Sequence, residues 1–310
     1  MGVFDAGDKV RIYQYKPSKI ELLLPGKDPE EQRNGERVEM KKNAFALSSA
    51  MFPSAAPSDW EECRSLGFSA AELSLGSHGD CLSPADCFRI GDRIAGDILS
   101  AGLELWTVHI PYGEFWDPSA ADPAEQKENC RRIVEVLEQS ARWGAKGAVL
   151  HGSAEPVPLE SEPRKLRLEH ARESTAFLDE KAAEFGLFLA IEDLPRSCLG
   201  SNIREMEAIL GNSAASICFD VNHLLQDSHQ AFLEVLGSRI KTLHLSDYDF
   251  IDECHWLPGD GKIDWPGLMA GLEAAGYEGP LLFEISRRRL PNAKTAEILA
   301  HFRQAVSREN

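Results

Sequence analysis

Eight times along the chain a short apolar run is followed by a longer amphipathic stretch, and this alternation constrains the fold more than any other feature. The apolar runs are AFALSSA (44–50), AAELSL (70–75), LELWTVHI (103–110), AKGAVLHG (145–152), LFLAIED (187–193), ASICFDV (215–221), IKTLHLSD (240–247) and PLLFEIS (280–286). They are nearly continuous in apolar residues, as strands covered on both faces must be. Helical periodicity fills 58–66, 84–101, 122–143, 162–185, 201–210, 228–236, 264–275 and 292–307. Gly67, Gly102, Gly144 and Gly186 stand where helix C-caps belong. Eight such units in roughly 265 residues predict an α/β fold, a (β/α)8 TIM barrel, over 44–310. A doubly wound sheet also alternates, but no GxGxxG or GxxxxGK follows the first strand. Residues 1–43 read as a short N-terminal extension, a hairpin or partly ordered arm: β-favouring residues around Pro17 run into the polar stretch PGKDPEEQRNGER.

Charge narrows the function. The net charge is −17, and all of it lies beyond the first 42 residues, which sum to +1 and leave −18 for the rest. Nucleic-acid backbones and anionic membranes are bound through clustered Lys and Arg, so neither is an expected partner. No apolar run approaches membrane-spanning length, and the N-terminus lacks the apolar core of a signal peptide. Seven cysteines, with no CxxC pair, point to free thiols in a reducing cytoplasm. Cys218 reads as core, and Cys254, beside His255, as a loop thiol.

The residues that end the strands carry the chemistry. His109 ends the third strand, His151 the fourth, Glu192 the fifth and Asp220 the sixth, with His223 three residues on. His244 and Asp247 end the seventh and Glu284 the eighth; His255 lies in the loop after the seventh. In a (β/α)8 barrel these ends converge on one mouth. His78, His170 and His301 read as loop or helix-surface residues. Any one strand-end His or acid is ordinarily a hydrogen-bonded polar contact. Together, buried acids and imidazoles in one mouth are costly without a cation, and a divalent metal relieves that cost. The mixed N/O set suits Mn, Zn, Co or Fe better than Ca.

These residues sit in motifs that resemble the sugar phosphate isomerase/epimerase group of the xylose-isomerase-like TIM barrels, the superfamily that also holds endonuclease IV. The motifs are HIPYG (109–113), LHGS (150–153), IEDLP (191–195), CFDVNHLL (218–225), LHLSDYD (243–249) and HWLPGDGKIDWPGLMAGLEAAGYEGPLLFEI (255–285). The resemblance covers about 44–290. It implies one divalent ion (Mn, Zn, Co or Mg) on Glu192, Asp220, His244 and Glu284. Glu192 and Glu284 would then also be the catalytic acid and base, moving the proton α to a carbonyl through an enediolate. It further implies a small sugar or polyol as substrate, with His109, His151, His223 and His255 against it. Homodimers or homotetramers are common in such barrels. A stacking aromatic is expected in the loop after the third strand, with Trp116 as a candidate.

Two departures refine the expectation. Leu194 stands where xylose isomerase proper has its hydride-shift Lys, which favours proton transfer. The stretch SDYDF lacks the Arg of the ketose 3-epimerases. Arg287 follows the last strand and is a candidate for binding a phosphate or carboxylate, against its reading as a solvated basic run. Two alternatives stay open. An inosose-type dehydratase would use the same metal site. Endonuclease IV holds three zinc ions with a ligand order that this chain nearly reproduces: His109, His151, Glu192, Asp220, His223, His244, Glu253, His255 and Glu284, with Glu253 in place of an Asp. The acidic mouth loops, which contain no Lys or Arg, favour the sugar enzyme.

Overall fold

The computed structural model describes residues 43–155, 157, 162–286 and 294–308. Eight parallel strands alternate with eight helices: β1 (Phe45–Ser48), α1 (Pro57–Leu66), β2 (Ala70–Ser74), α2 (Pro84–Ser100), β3 (Glu104–His109), α3 (Pro123–Arg142), β4 (Gly147–His151), α4 (Glu162–Glu184), β5 (Phe188–Glu192), α5 (Ile203–Leu210), β6 (Ser216–Asp220), α6 (His229–Leu236), β7 (Ile240–His244), α7 (Trp265–Ala274), β8 (Leu281–Phe283) and α8 (Thr295–Val306). The sheet runs β7-β6-β5-β4-β3-β2-β1-β8. Just past β7, Leu245 bridges to Phe283 in parallel; its N–H donates to the Leu282 carbonyl (2.8 Å) and its carbonyl accepts from Glu284 N–H (3.1 Å). That bridge closes the (β/α)8 barrel. The predicted N-terminal arm lies outside the described residues apart from Asn43, whose side-chain amide donates to the Gly279 carbonyl. Arg287 also lies outside them.

Local chemistry sets the element boundaries. Ser83, Asp122, Asn202, Ser228 and Asp264 each cap a helix by accepting a first-turn N–H, and Pro84 and Pro123 occupy the first helical position. Gly67 and Gly144 end their helices at φ +99° and +86°, where a side chain would be strained. No described helix is long and apolar enough to cross a membrane.

The two-residue strand period decides what faces the lumen. Ala46, Ala70 and Leu282 pack with Trp106 in a low layer; Val149, Ala190 and Cys218 pack with Phe188. Trp106 and Phe188, with ring centroids 5.5 Å apart, close the floor. A Cβ on Gly147 would lie 2.3 Å from the Phe188 ring, so only glycine fits there. Two residues beyond Val149, Ala190, Cys218 and Leu282 stand His151, Glu192, Asp220 and Glu284. The same inward phase that fills the core therefore delivers the polar side chains to the mouth.

The PGDGKIDW stretch wraps around one buried carboxylate. Asp247 Oδ1 accepts from the N–H groups of Tyr248 (2.9 Å) and Ile263 (3.2 Å); Oδ2 accepts from Gly259 N–H (2.7 Å) and Trp265 Nε1–H (2.9 Å). Asp247 thus organises the loop rather than lining the cavity. Asp247→Ala strands four donors and should cost on the order of 3 kcal/mol, read from urea unfolding; a loss under about 0.5 kcal/mol would contradict this assignment.

Candidate metal centre and active site

The mouth gathers His109, His151, Glu192, Asp220, His223, His244, His255 and Glu284, but not Asp247 or Trp116. His109, His151, Glu192, Asp220 and His244 are the last residues of β3 to β7, and Glu284 follows β8 directly. His223 comes from the β6–α6 loop, and Glu253 and His255 from the β7–α7 loop. Glu192 is the hub. Its Oε2 lies 2.9 Å from His109 Nε2 and 3.1 Å from His151 Nε2, and its Oε1 lies 3.1 Å from His244 Nδ1. His244 Nδ1 also lies 3.2 Å from Glu284 Oε2 and 3.8 Å from Asp220 Oδ2. His223 Nε2 lies 3.4 Å from Asp220 Oδ2 and 3.3 Å from Glu253 Oε2.

Above this cluster opens a cavity of about 370 Å³, reached by His109, His151, Glu192, His223, His255 and Glu284. Asp220 and His244 are fully buried beneath it. Tyr112, 58% exposed, lines the cavity and stacks on His151 (centroids 4.8 Å, 10° between planes). Trp116 is buried and donates its indole N–H to the Cys81 carbonyl, so it packs the loop and does not face the cavity. Tyr112 is the aromatic that does. His170, expected on a helix surface, is buried with Nδ1 on the Ala120 carbonyl.

Two carboxylates carry no signal at a strand end and were absent from the sequence expectation. Glu72, in mid-β2, is fully buried; it accepts from Thr107 Oγ1 (2.8 Å) and meets His244 Nε2 at 3.1 Å. Its signal was a lone acid in the inward phase of the otherwise apolar AAELSL. Asp193 accepts from Asp220 N–H (2.8 Å), and its carbonyl faces His223 Nδ1 (2.8 Å). Only its proximity to Glu192 could have marked it.

The donor set fits a divalent cation. Three imidazoles have one nitrogen fixed by an acceptor and the other turned to carboxylates. His109 Nδ1 is on the Ile110 carbonyl, His223 Nδ1 on the Asp193 carbonyl and His244 Nε2 on Glu72. Metal-binding histidines have this arrangement, the outer hydrogen bond fixing the tautomer. Asp220 Oδ2 is buried with no hydrogen bond, an acceptor in want of a cation. Ligand atoms of Glu192, Asp220, His244 and Glu284 lie within 4.8 Å of one another, as do those of His109, His151 and Glu192, of Asp220, His223 and His255, and of Glu192, Cys218 and His244.

The protonation pattern reflects the same crowding. Burial pushes Glu192 up, but His244, His151 and His109 hold it well below the usual carboxylate range. Burial raises Asp220, against the lowering influence of His223, His255 and His244. The hydrogen bond from His223 holds Glu253 down at about 2. Burial lowers His151.

Residues 60–305 match the xylose isomerase-like TIM barrel family. The chain belongs to that family. Among its relatives is an uncharacterized protein of Methanocaldococcus jannaschii, 24% identical, with 85% of this chain and 90% of the relative aligned. Fructoselysine 3-epimerase of Escherichia coli O157:H7 is 33% identical over 55 residues, 18% of this chain and 20% of that one. Among solved structures, a D-tagatose 3-epimerase-like protein superposes with TM-score 0.66 at 23% identity, covering 85% of this chain and 98% of the other. The 3-keto-D-glucoside 4-epimerase of E. coli gives 0.65 at 19%, covering 85% and 100%. At those identities the structural likeness shows the fold alone. The chain is thus a xylose isomerase-like barrel whose mouth carries His, Asp and Glu side chains spaced to hold a metal ion.

His109 offers a direct test of the cation fit. Burial disfavours its charged form, but Glu192, through the hydrogen bond and its charge, wins and lifts the pKa from 6.5 to about 9. In chelator-treated protein its ring should titrate near pH 9 by NMR. Its contribution to stability, full below pH 6.5, should be lost as the pH rises through about 9. A divalent cation on Glu192 should offset the negative charge that raises His109 and move that titration down from about 9; an unmoved titration with metal present would count against the fit.

Proposed function

We propose that this barrel is a divalent-metal-dependent sugar or polyol isomerase or epimerase that moves a proton α to a carbonyl. The observation that carries the reading is the convergence of Glu192 from β5 and Glu284 from β8 on one point with Asp220 and His244, at the base of a small cavity. Glu192, Asp220, His244 and Glu284 would hold the ion. When bound, it supplies Lewis-acid polarisation of a substrate carbonyl and neighbouring hydroxyl.

Glu284, with 18% of its side chain exposed at the cavity wall, is open to substrate and serves as base at the α-carbon. Glu192, held ionised by three imidazoles, serves as its partner across the enediolate. Which of the two removes the proton and which returns it sets the stereochemical outcome. His109, His151, His223 and His255 line the cavity against the substrate, and the Tyr112 ring offers a face on which an apolar sugar face stacks. Leu194 at the cavity wall provides no amine, in keeping with proton transfer rather than hydride shift.

Charge points to a neutral substrate. Arg196 is the one Lys or Arg among the described cavity residues, and Glu155 (3.1 Å), Asp252 (2.9 Å) and Glu253 (3.3 Å) already pair with it. Arg287, in the RRR run 287–289 outside the described residues, stays the sequence's candidate for a phosphate or carboxylate contact. The enzyme acts in the cytoplasm in this reading.

One observation favours a second reading. The clusters His109/His151/Glu192 and Asp220/His223/His255 flank the four-residue site and share ligands with it, and Glu253 faces His223. Such overlap suits a multi-zinc phosphodiesterase of the endonuclease IV type. Incision of abasic-site DNA would establish it over the sugar reading. An inosose-type dehydratase would follow the same α-proton removal with loss of water.

The deciding assay incubates the metal-loaded enzyme with ketoses, aldoses and inososes in D2O. The proposal predicts deuterium at a carbon next to the carbonyl of an isomerised or epimerised product. Glu284→Gln should lower that exchange about 10²–10⁴-fold. Product formed without solvent deuterium, or exchange undiminished in the variant, would contradict the mechanism.

A further inference from the structure

The deepest acid of the barrel lies outside the set of strand-end residues. Glu72 is in the middle of β2, one layer below the mouth, in register with Thr107 of β3. It has no exposed surface and does not line the cavity, so substrate cannot reach it. A buried carboxylate on a barrel axis is costly unless its oxygens are met. Both are: Oε2 accepts from Thr107 Oγ1 at 2.8 Å, and the two oxygens face His244 Nε2 at 3.1 and 3.2 Å. The second contact spans the lumen, from β2 to β7, between residues 172 positions apart.

An ionised carboxylate only accepts hydrogen bonds, and Thr107 donates to this one, so His244 must carry its proton on Nε2. With Nε2–H turned to Glu72, Nδ1 is the nitrogen left to bind a cation. It is Nδ1, and not Nε2, that faces Glu192, Glu284 and Asp220. The His109 ring, stacked on His244 at 5.6 Å and 13°, limits the ring's tilt from the other side.

We propose that Glu72 is a positioning residue for the metal centre: through Thr107 and His244 it fixes the Nε2–H tautomer and turns Nδ1 toward the site. A carboxylate behind a ligating imidazole also makes the ligand nitrogen more basic, which a neutral amide does less well. The inference rests on the metal reading of the four-residue site. It assigns a function to the only strand-buried acid that the proton-transfer scheme leaves unused among the described strands.

The test titrates Zn²⁺ into the full chain against a competing chelator. Glu72→Gln keeps the shape and should weaken affinity about 10–100-fold. Thr107→Val, which removes only the hydroxyl behind Glu72, should weaken it by less, and keeps the test open if the first variant fails to fold. In zinc-loaded wild-type protein, 15N NMR of labelled histidine should show His244 protonated at Nε2. Wild-type affinity in both variants, or a zinc-loaded His244 protonated at Nδ1, would overturn the inference while leaving the metal site standing. A wild-type chain that takes up no zinc would overturn the metal reading, and this role with it.

Discussion

Glu192 is almost wholly buried, and both its oxygens are shared among imidazoles from three strands: His109 of β3, His151 of β4 and His244 of β7. In a low-dielectric interior a carboxylate in that position persists only if positive charge surrounds it. The rest of the mouth follows from this constraint. The strands must close into a barrel for the donors to meet. Each strand must keep the phase that places its last residue inward. The loops must then supply further acceptors, Asp193 and Glu253 among them, to fix the imidazoles. A divalent ion would relieve the remaining imbalance, and the same pairing would make the metal-free site sensitive to pH.

The loops tune what can enter. His255 adopts φ +49° and Arg196 φ +53°, conformations that side-chain-bearing residues seldom take, and both line the cavity. The first is fixed by Asn222, whose side-chain oxygen accepts from the N–H groups of Cys254 and His255. The second is fixed by a three-carboxylate clamp that joins the loops after β4, β5 and β7. Strain of this kind persists where surrounding contacts over-determine it. The clamp spends the cavity's cationic group on protein carboxylates, leaving a pocket rich in hydrogen-bond partners and poor in positive charge.

Much of this was legible in the sequence because periodicity is a local property. The helix and strand boundaries follow from capping residues and apolar runs, and the strand-end rule located His109, His151, Glu192, Asp220, His244 and Glu284. What the sequence concealed depends on contacts across the barrel. Glu72 looks like an isolated acid in a strand until β2 and β7 face each other. Asp247 shares the strand-end pattern of the ligands, but its carboxylate is consumed by its own loop. Trp116 and Tyr112 lie four residues apart on one loop, and only the fold shows that the first packs inward and the second faces the cavity. Cys218 was read as core, and it is, but it also lies directly beneath Glu192 and His244, a neighbourhood that no motif announces.

The central claim is that four residues at the barrel mouth hold one divalent ion for proton transfer on a small sugar. The most direct measurement is elemental mass spectrometry of the chain purified without chelator and without a metal-affinity tag. The account predicts about one Mn, Co, Mg or Zn per chain, bound at the four-ligand site. Two or three zinc ions per chain would contradict it in favour of the multi-zinc phosphodiester chemistry. No metal at all, even after exposure to Mn²⁺ and Zn²⁺, would contradict both.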